Sequence, residues 1–369
     1  MSDFMSHFNT IPDPRIERCK RHALMDILFL SISAVLCGAE GWEEIEDFGH
    51  ARLDWLKKYF PFENGIPKHD TIARVLSRLE PKALQASFIA WMNDACQLTQ
   101  GEVIAIDGKT VRRSFKKGDR KSAIHMVSAW ACQNNMVLGQ QKVNAKSNEI
   151  TAIPALLELL DINGCIVTID AMGCQTAIAQ TILEQGADYV LALKGNQGDL
   201  SDEVKMLFAQ SKLPLKEQNT EEVDAGHGRI ETRRCRQIKI NSKYLPAGER
   251  WPKLNSIIEI EATRIIDNQT STEKRYYISS LGLNAEKAAS VVRQHWAIEN
   301  KLHWVLDVSF REDESRIRRN NGAEVMSTLR RLTLNLLKAN TSSKASMKRK
   351  RKIAIMDDAL RSELVCPDI

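Results

Sequence analysis

Over the first hundred residues the apolar positions recur at helical spacing. After an irregular lead-in around Pro12 and Pro14, a long apolar run predicts a helix over 23–36. Ile45, Phe48, Leu53, Trp55 and Leu56 predict a second helix over 43–59, followed by a loop at 61–67. His69-Asp70-Thr71 can cap a short helix through Leu79, and Pro81 opens another that runs to about Cys96. The tight break at Glu80-Pro81 is compatible with a helix-turn-helix that offers residues 71–79 to DNA. A plain helical bundle is an equal alternative, because residues 1–100 carry 11 Lys and Arg against 14 Asp and Glu.

The pattern changes at Gly101. A short continuous apolar run over 103–106 reads as a buried strand that stops at the polar turn Asp107-Gly108-Lys109-Thr110. Strands over 124–131 and 136–143 flank the hairpin signal Gln133-Asn134-Asn135. A helix from Asn148 through Leu160 ends at Asn163-Gly164, and the next strand, 165–169, stops at Asp170. A helix over 176–185, a strand over 189–193 and the turn Lys194-Gly195-Asn196-Gln197 follow. The helical crossover is long enough to return strand 165–169 parallel to an earlier one, which places Asp107 and Asp170 at the carboxyl ends of strands in one sheet. The expected class is α/β behind an all-α part covering residues 1–100. One more helix leads into a β-rich insertion at about 215–282, with strands at 238–240, 256–265 and 275–278 and an alternating basic and polar run at 227–234.

After the insertion comes a helix in which His295, Glu299, His303 and Asp307 recur every four residues and so share one face. Its other positions are largely Trp, Ile, Leu and Val. A charged stripe on a helix pressed into a core meets either a water-filled cleft or a bound cation. Two further helical stretches end in the run 344–352. Its six Lys and Arg, with only Ala345 and Met347 apolar, predict a mobile arm on nucleic-acid backbone within a basic tail over 341–369. A solubilising tail, or a helix end folded against the acidic N-terminal part, is the competing expectation.

Composition narrows the class. A hydrophobic share of 43% and a charged share of 27% suit a globular chain with a full core. No apolar run has bilayer length and the N-terminus is polar, so the expected location is the cytoplasm. The eight cysteines lack paired metal-ligand spacing and read as free thiols filling the core. The net charge of +5 is uneven, with 14 Lys and Arg against 5 Asp and Glu over 300–352, which points to a polyanionic partner for the later part of the chain.

Asp107, Asp170 and Glu299 could meet in one cleft. Crowded carboxylates raise one another's pKa, and divalent cations with oxygen ligands resolve that repulsion. Beside Asp107 runs the dense basic stretch Val111-Arg112-Arg113-Ser114-Phe115-Lys116-Lys117. Basic groups that hold a phosphate backbone, next to acids that hold metal, suit phosphoryl transfer.

Five ordered motifs carry a family resemblance: Ala105-Ile106-Asp107-Gly108-Lys109-Thr110, Thr168-Ile169-Asp170-Ala171-Met172, Leu193-Lys194-Gly195-Asn196-Gln197, His227-Gly228-Arg229-Ile230-Glu231-Thr232-Arg233, and His295-Trp296-Ala297-Ile298-Glu299-Asn300 with Leu302-His303-Trp304-Val305-Leu306-Asp307-Val308. Together they resemble the H-repeat-associated proteins, bacterial insertion-sequence transposases of the DDE class, over nearly the whole chain. The resemblance implies a ribonuclease-H-like catalytic core over 101–340, with Asp107, Asp170 and Glu299 holding two Mg²⁺, for which Mn²⁺ can substitute. The implied activity is strand cleavage and strand transfer at element ends. An inactive relic that only binds DNA, and a cellular nuclease of the same fold, are the alternatives. Implied partners are double-stranded DNA and a second copy of the chain on that DNA, in the cytoplasm at the nucleoid.

Candidate DNA contacts are Lys109, Arg112, Arg113, Lys116, Lys117, Lys194, Asn196, His227, Arg229, Arg233, Arg293, His295, Lys301, Lys348, Arg349, Lys350, Arg351 and Lys352. Related transposases carry Tyr, Arg and Lys on the glutamate helix. Here Val292, His295 and Leu306 occupy those spacings, which leaves Arg293, His295 or Lys301 as the basic helpers.

Overall fold

The computed structural model describes residues 4–115, 118–119, 122–143, 148–210, 215–226, 229–240, 242–267 and 269–366. The N-terminal part is helical: α1 (Leu24–Leu36), α2 (Trp42–Ala51), α3 (Leu53–Leu56), α4 (His69–Leu76) and α5 (Pro81–Ala95). The single helix expected over 43–59 is broken at Arg52, which leaves helical geometry with φ near −129°. Helix α4 is held to α2 by Glu46, whose Oε2 accepts the His69 backbone N–H at 2.7 Å and faces His69 Nδ1 at 2.8 Å, while Lys68 reaches Oε1 at 3.0 Å. The His69 N–H first, then the Lys68 and His69 side chains, hold this carboxyl down to about 2. Glu46→Ala would leave the start of α4 without its acceptor. It should cost about 1–2 kcal/mol in urea unfolding, and an unchanged midpoint would refute this cross-helix cap.

A nine-stranded mixed sheet follows, built from β1 (Val103–Thr110), β2 (His125–Ala131), β3 (Met136–Lys142), β4 (Ile166–Ile169), β5 (Asp188–Leu193), β6 (Glu217–Gly226), β7 (Arg229–Lys239), β8 (Ser256–Ile266) and β9 (Gln269–Ser279). The spatial order is β3-β2-β1-β4-β5-β9-β8-β7-β6. Strands β1, β4 and β5 run parallel, with α6 (Glu149–Leu157) and α7 (Thr176–Glu184) as crossovers; the other neighbours are antiparallel. After α8 (Gly198–Ala209) the later strands extend the same sheet, because β9 pairs with β5 from Val190↔Ser279 to Leu193↔Tyr276. The sequence pattern had not marked 217–226 as a strand, since its positions are almost all exposed and lack an apolar face.

The last part comprises α9 (Ala285–His295), a π-helical turn (Glu299–His303), α10 (Trp304–Phe310), α11 (Gly322–Ala339), α12 (Met347–Met356) and α13 (Asp358–Val365). Helix α11 packs along α1 and covers the β3 edge, where the Asn335 side chain satisfies both the N–H and the carbonyl of Val137, at 3.0 and 2.8 Å. The expected mobile arm over 344–352 is instead largely helix. Lys350 is buried and donates to the carbonyls of Leu337 and Asn340; Arg351 is buried against the Phe310 ring and donates to the carbonyls of Val35, Leu36 and Ser309. Carbonyl groups at the ends of α1, α10 and α11 have acceptor capacity that the helices do not fill and a basic run can use, a tertiary match composition does not announce. The competing expectation, a helix end folded against the N-terminal part, describes this segment.

Candidate active site

Register brings the first two acids together. Strands β1 and β4 pair in parallel up to Ile106↔Ile169, so the next residue of each, Asp107 and Asp170, leaves that pairing at the same level. Asp107 does not end its strand, contrary to the expectation from the Asp-Gly pair. Strand β1 continues to Thr110 against β2, with Asp107 opposite Ser128 and Gly108 opposite Val127. Strand β4 ends at Ile169, so β1 has no partner on that side from Asp107 onward, at the carboxyl edge where open α/β sheets hold their ligands. Asp107 Oδ1 accepts the Gly108 N–H at 2.8 Å, and Asp170 Oδ1 accepts those of Met172 and Gly173 at 3.1 and 3.3 Å.

These carboxyls are electrostatically stressed. Burial, with the charges of Asp170, Glu149 and Glu299, outweighs the Gly108 N–H and pushes Asp107 up to about 7. Asp170 is raised as well, by burial and by Glu149, against the lowering effect of its backbone donors and Lys194. Glu299 is raised by burial and lowered by Arg275. It is the most exposed of the three and begins the π turn.

The wider turn accounts for the four-residue stripe. Twelve residues of α-helix would rotate Asp307 about 120° from His295, whereas one extra residue absorbed in a π turn leaves about 20°. His295 Nδ1 meets Thr168 Oγ1 at 3.0 Å, His303 Nδ1 lies 3.4 Å from Asp107 Oδ2, and Asp307 pairs with Lys109 at 2.7 Å, so all three face the sheet. Burial drives His295 down to about 4 and, with Arg331 and Lys109 nearby, His303 down to about 3. Both rings are therefore neutral near pH 7.

Several candidate DNA contacts are corrected by these positions. Lys109 is only 8% exposed and is shared by Asp307, Asp313 at 2.9 Å and Glu312 at 3.7 Å. It is a buried counter-charge, not a surface cation. His295 points inward and is uncharged, and Lys350 and Arg351 are consumed by backbone carbonyls. Lys116, Lys117 and His227 lie outside the described residues. Arg112, Arg113, Lys194, Asn196, Lys348, Arg349 and Lys352 are exposed, Arg112 also pairing with Asp313 and Asn196 donating to the Ala171 carbonyl. Lys301 donates to Asn135 Oδ1 at 2.7 Å, tying the π turn to the β2–β3 hairpin.

Arg229, Arg233 and Arg293 line a groove of ≈ 930 Å³ between α9 and the extended sheet. Within it Glu231, only 2% exposed, is flanked by Arg233 at 2.6 Å, Arg264 at 3.0 Å and Arg229 at 3.7 Å. Burial alone would raise that carboxyl, but the arginines hold it below its usual range.

Sequence reasoning passed over Glu149 and His125. Glu149 opens α6, so Asn148-Glu149 read only as a helix start; His125 opens β2. The His125 ring and the Glu149 carboxylate meet at 2.5 Å beside Gly108. No local spacing links positions 107, 125 and 149.

Residues 98–336 match the family model described as "Transposase DDE domain", and residues 5–92 match one described as "DDE_Tnp_1-associated". The chain belongs to the DDE-domain transposase family. It is 46% identical over 369 residues to "Putative transposase YncI" of Escherichia coli O157:H7, a match covering 99% of this chain and 95% of that protein. Identity is also 46% over 367 residues to "H repeat-associated putative transposase YhhI" of Escherichia coli strain K12, covering 97% and 96%. A shorter relative, "Inactive transposase YbfQ" of strain K12, is 56% identical over 78 residues, covering 21% of this chain and 93% of its own. The resemblance read from the five motifs is therefore correct at the level of family.

The DDE transposase domain implies a DNA substrate and a divalent cation. Among the described residues no three His, Cys, Asp or Glu side chains stand close enough together to hold a metal ion, and no helix is long and apolar enough to cross a membrane. The donor type is that of a hard cation: these are carboxylates, and burial with like charges pushes Asp107 up to about 7, a repulsion that a divalent ion would relieve. Asp107 and Asp170 leave the β1–β4 pairing at the same level, and the charge of Glu299, on the π turn, adds to the burial that raises Asp107.

Proposed function

We propose that this chain is a DNA transposase with a ribonuclease-H-like core that cuts DNA at element ends and joins the freed end to a target. The observation that carries this reading is the register of β1 and β4, which delivers Asp107 and Asp170 to one notch at neighbouring parallel strands. Asp107, Asp170 and Glu299 would hold Mg²⁺, which when bound supplies charge neutralisation at the phosphorus and an activated oxygen nucleophile. The chain's part is positioning. Backbone N–H groups orient the two aspartates, His303 remains neutral beside Asp107, and Lys109 secures the π-turn helix to β1 through Asp307. Two element ends require two such sites, so a dimer forms on DNA. The test is Mg²⁺-dependent cleavage of DNA carrying the element's ends by wild-type protein, with size measured on the complex. Absence of end-specific cleavage would overturn the reading.

One observation favours a second reading, a relic that binds DNA without cutting it: Glu299 is exposed, unlike the two half-buried aspartates. A protein that binds end DNA but leaves it intact in Mg²⁺ and Mn²⁺ would establish that alternative.

The surface of α12 gives a separate expectation. Lys344, Lys348, Arg349 and Lys352 are exposed in and beside this helix. Replacing all four with Gln should flatten the slope of log K against log salt by up to about 3 to 4 units for duplex DNA. An unchanged slope would remove α12 from the DNA interface while leaving the acid site untouched.

A further inference from the structure

We propose that the loop carrying Arg316, Arg318 and Arg319, together with Arg113, holds the phosphate backbone of duplex DNA within about six base pairs of the phosphate that sits at Asp107. The place assigned on the DNA rests on the transposase reading above. The segment joining α10 to α11 concentrates charge of both signs, and its acids are all spent. Glu312 is buried with Arg330 and Arg331, Asp313 takes Lys109 at 2.9 Å and Arg112 at 3.1 Å, and Glu314 pairs with Arg311. Glu40, the acid that shares a cleft of ≈ 470 Å³ with the three loop arginines, is met by Arg311 at 3.3 Å. Among the described residues no carboxylate comes within ion-pair distance of Arg113, Arg316, Arg318 or Arg319. Arg318 is half-buried and the other three are exposed. Guanidinium groups left without counter-charge on one surface attract a polyanion.

The surface is fixed before any ligand arrives. Arg318 Nε donates to the Arg113 carbonyl at 2.8 Å and its guanidinium lies over the Phe115 ring, 4.5 Å from the centroid, which joins the loop to the turn after β1. Between the arginines Ile317 packs against the core. At the far end Asn321 donates its N–H to the Ser77 carbonyl at 3.1 Å and its side-chain amide to the Leu79 carbonyl at 2.9 Å. A Cβ on Gly322 would meet Ser77 Oγ at 2.8 Å and Ile317 Cγ2 at 3.0 Å, so this seat on the α4–α5 turn needs a residue without a side chain. Cations arranged in advance lose little conformational freedom on binding, and a guanidinium fork matches phosphate oxygens in pairs. Position selects nucleic acid over an acidic protein segment. Arg113 follows Asp107 by six residues, at most about 20 Å of chain, and Asp313 ties Arg112 to Lys109 on β1. A duplex with a phosphate at Asp107 covers that distance in about six base pairs, at roughly 3.4 Å each.

Binding of the full-length protein to a fluorescent duplex across a salt series tests the surface. Arg316→Gln with Arg319→Gln should flatten the slope of log K against log salt by up to about 2 units, and adding Arg318→Gln by up to about 3. The double variant keeps the Arg318 anchor, so it decides the matter if the triple variant unfolds. An unchanged slope in the folded double variant overturns the proposal. A double variant that loses affinity for polyglutamate but not for the duplex would assign the surface to an acidic protein and overturn it too. On DNA carrying the element's ends, a hydroxyl-radical footprint should lose protection within about six base pairs of the cut in the double variant, and loss confined to more distant positions overturns the placement. A wild type without end-specific cleavage, with the slope still flattened in the variant, would overturn the transposase reading and uphold the surface. Cleavage intact with an unchanged slope would overturn the surface alone.

Discussion

Asp107→Asn is expected to reduce Mg²⁺-dependent cleavage of end-bearing DNA by on the order of 10³-fold, without loss of DNA binding or fold. Charge stabilisation by a catalytic cation is worth several kcal/mol, and about 4 kcal/mol corresponds to roughly that factor. The substitution preserves shape: Asn Oδ1 can still accept the Gly108 N–H that holds Asp107 at 2.8 Å. It removes the charge at the point where burial, Asp170, Glu149 and Glu299 converge, so the protein without metal should be no less stable than wild type. Cleavage and binding measured on the same preparation decide the matter. Retained cleavage would sink the role given to Asp107, and joint loss of cleavage and binding would point to damage instead.

The largest stability effect is expected at Glu312, which lies beneath the site rather than in it. Its fully buried carboxylate meets Arg331 at 3.0 Å, Lys109 at 3.7 Å and Arg330 at 3.9 Å, and accepts from Ser327 Oγ at 3.1 Å. Glu312→Ala strands Arg330 and Arg331 in the interior, which should cost about 3–5 kcal/mol in denaturant unfolding. Lys109 would also lose one of the acids that hold it against the π-turn helix, so the geometry at Asp107 should loosen. A loss below about 1 kcal/mol would refute the assignment, since removal of one partner from a buried charge network has to exceed that.

The pH dependence has a definite sign. Burial would raise Glu312, but Arg331, Arg330 and Lys109 outweigh it and bring the carboxyl down to about 2 from an ordinary 4.5. A folded-state pKa below the unfolded one stabilises at pH above the unfolded value, and that contribution disappears as pH falls towards about 2. Glu312→Gln should therefore flatten the acid limb of the stability curve.

What the sequence determined was whatever depends on local period and chain order. The apolar runs at 103–106 and 165–169, a helical crossover between them, and acids immediately after each run sufficed to place Asp107 and Asp170 on one sheet edge. The same spacing marked His295, His303 and Asp307 as one face, and the five motifs led to the family.

The tertiary structure decided what depends on partners distant in sequence. Lys109 and Arg351 look like surface cations in a basic run, yet one is neutralised by acids some two hundred residues away and the other is absorbed by the carbonyl ends of α1. The π turn that keeps the stripe aligned has no signature in hydrophobic period. Glu149 meets His125 only because α6 crosses over the sheet and Gly108 leaves room for the pair. Local pattern fixes which face of an element is buried. Which charges are compensated, and hence which remain available for chemistry, is settled by the pairing of elements across the fold.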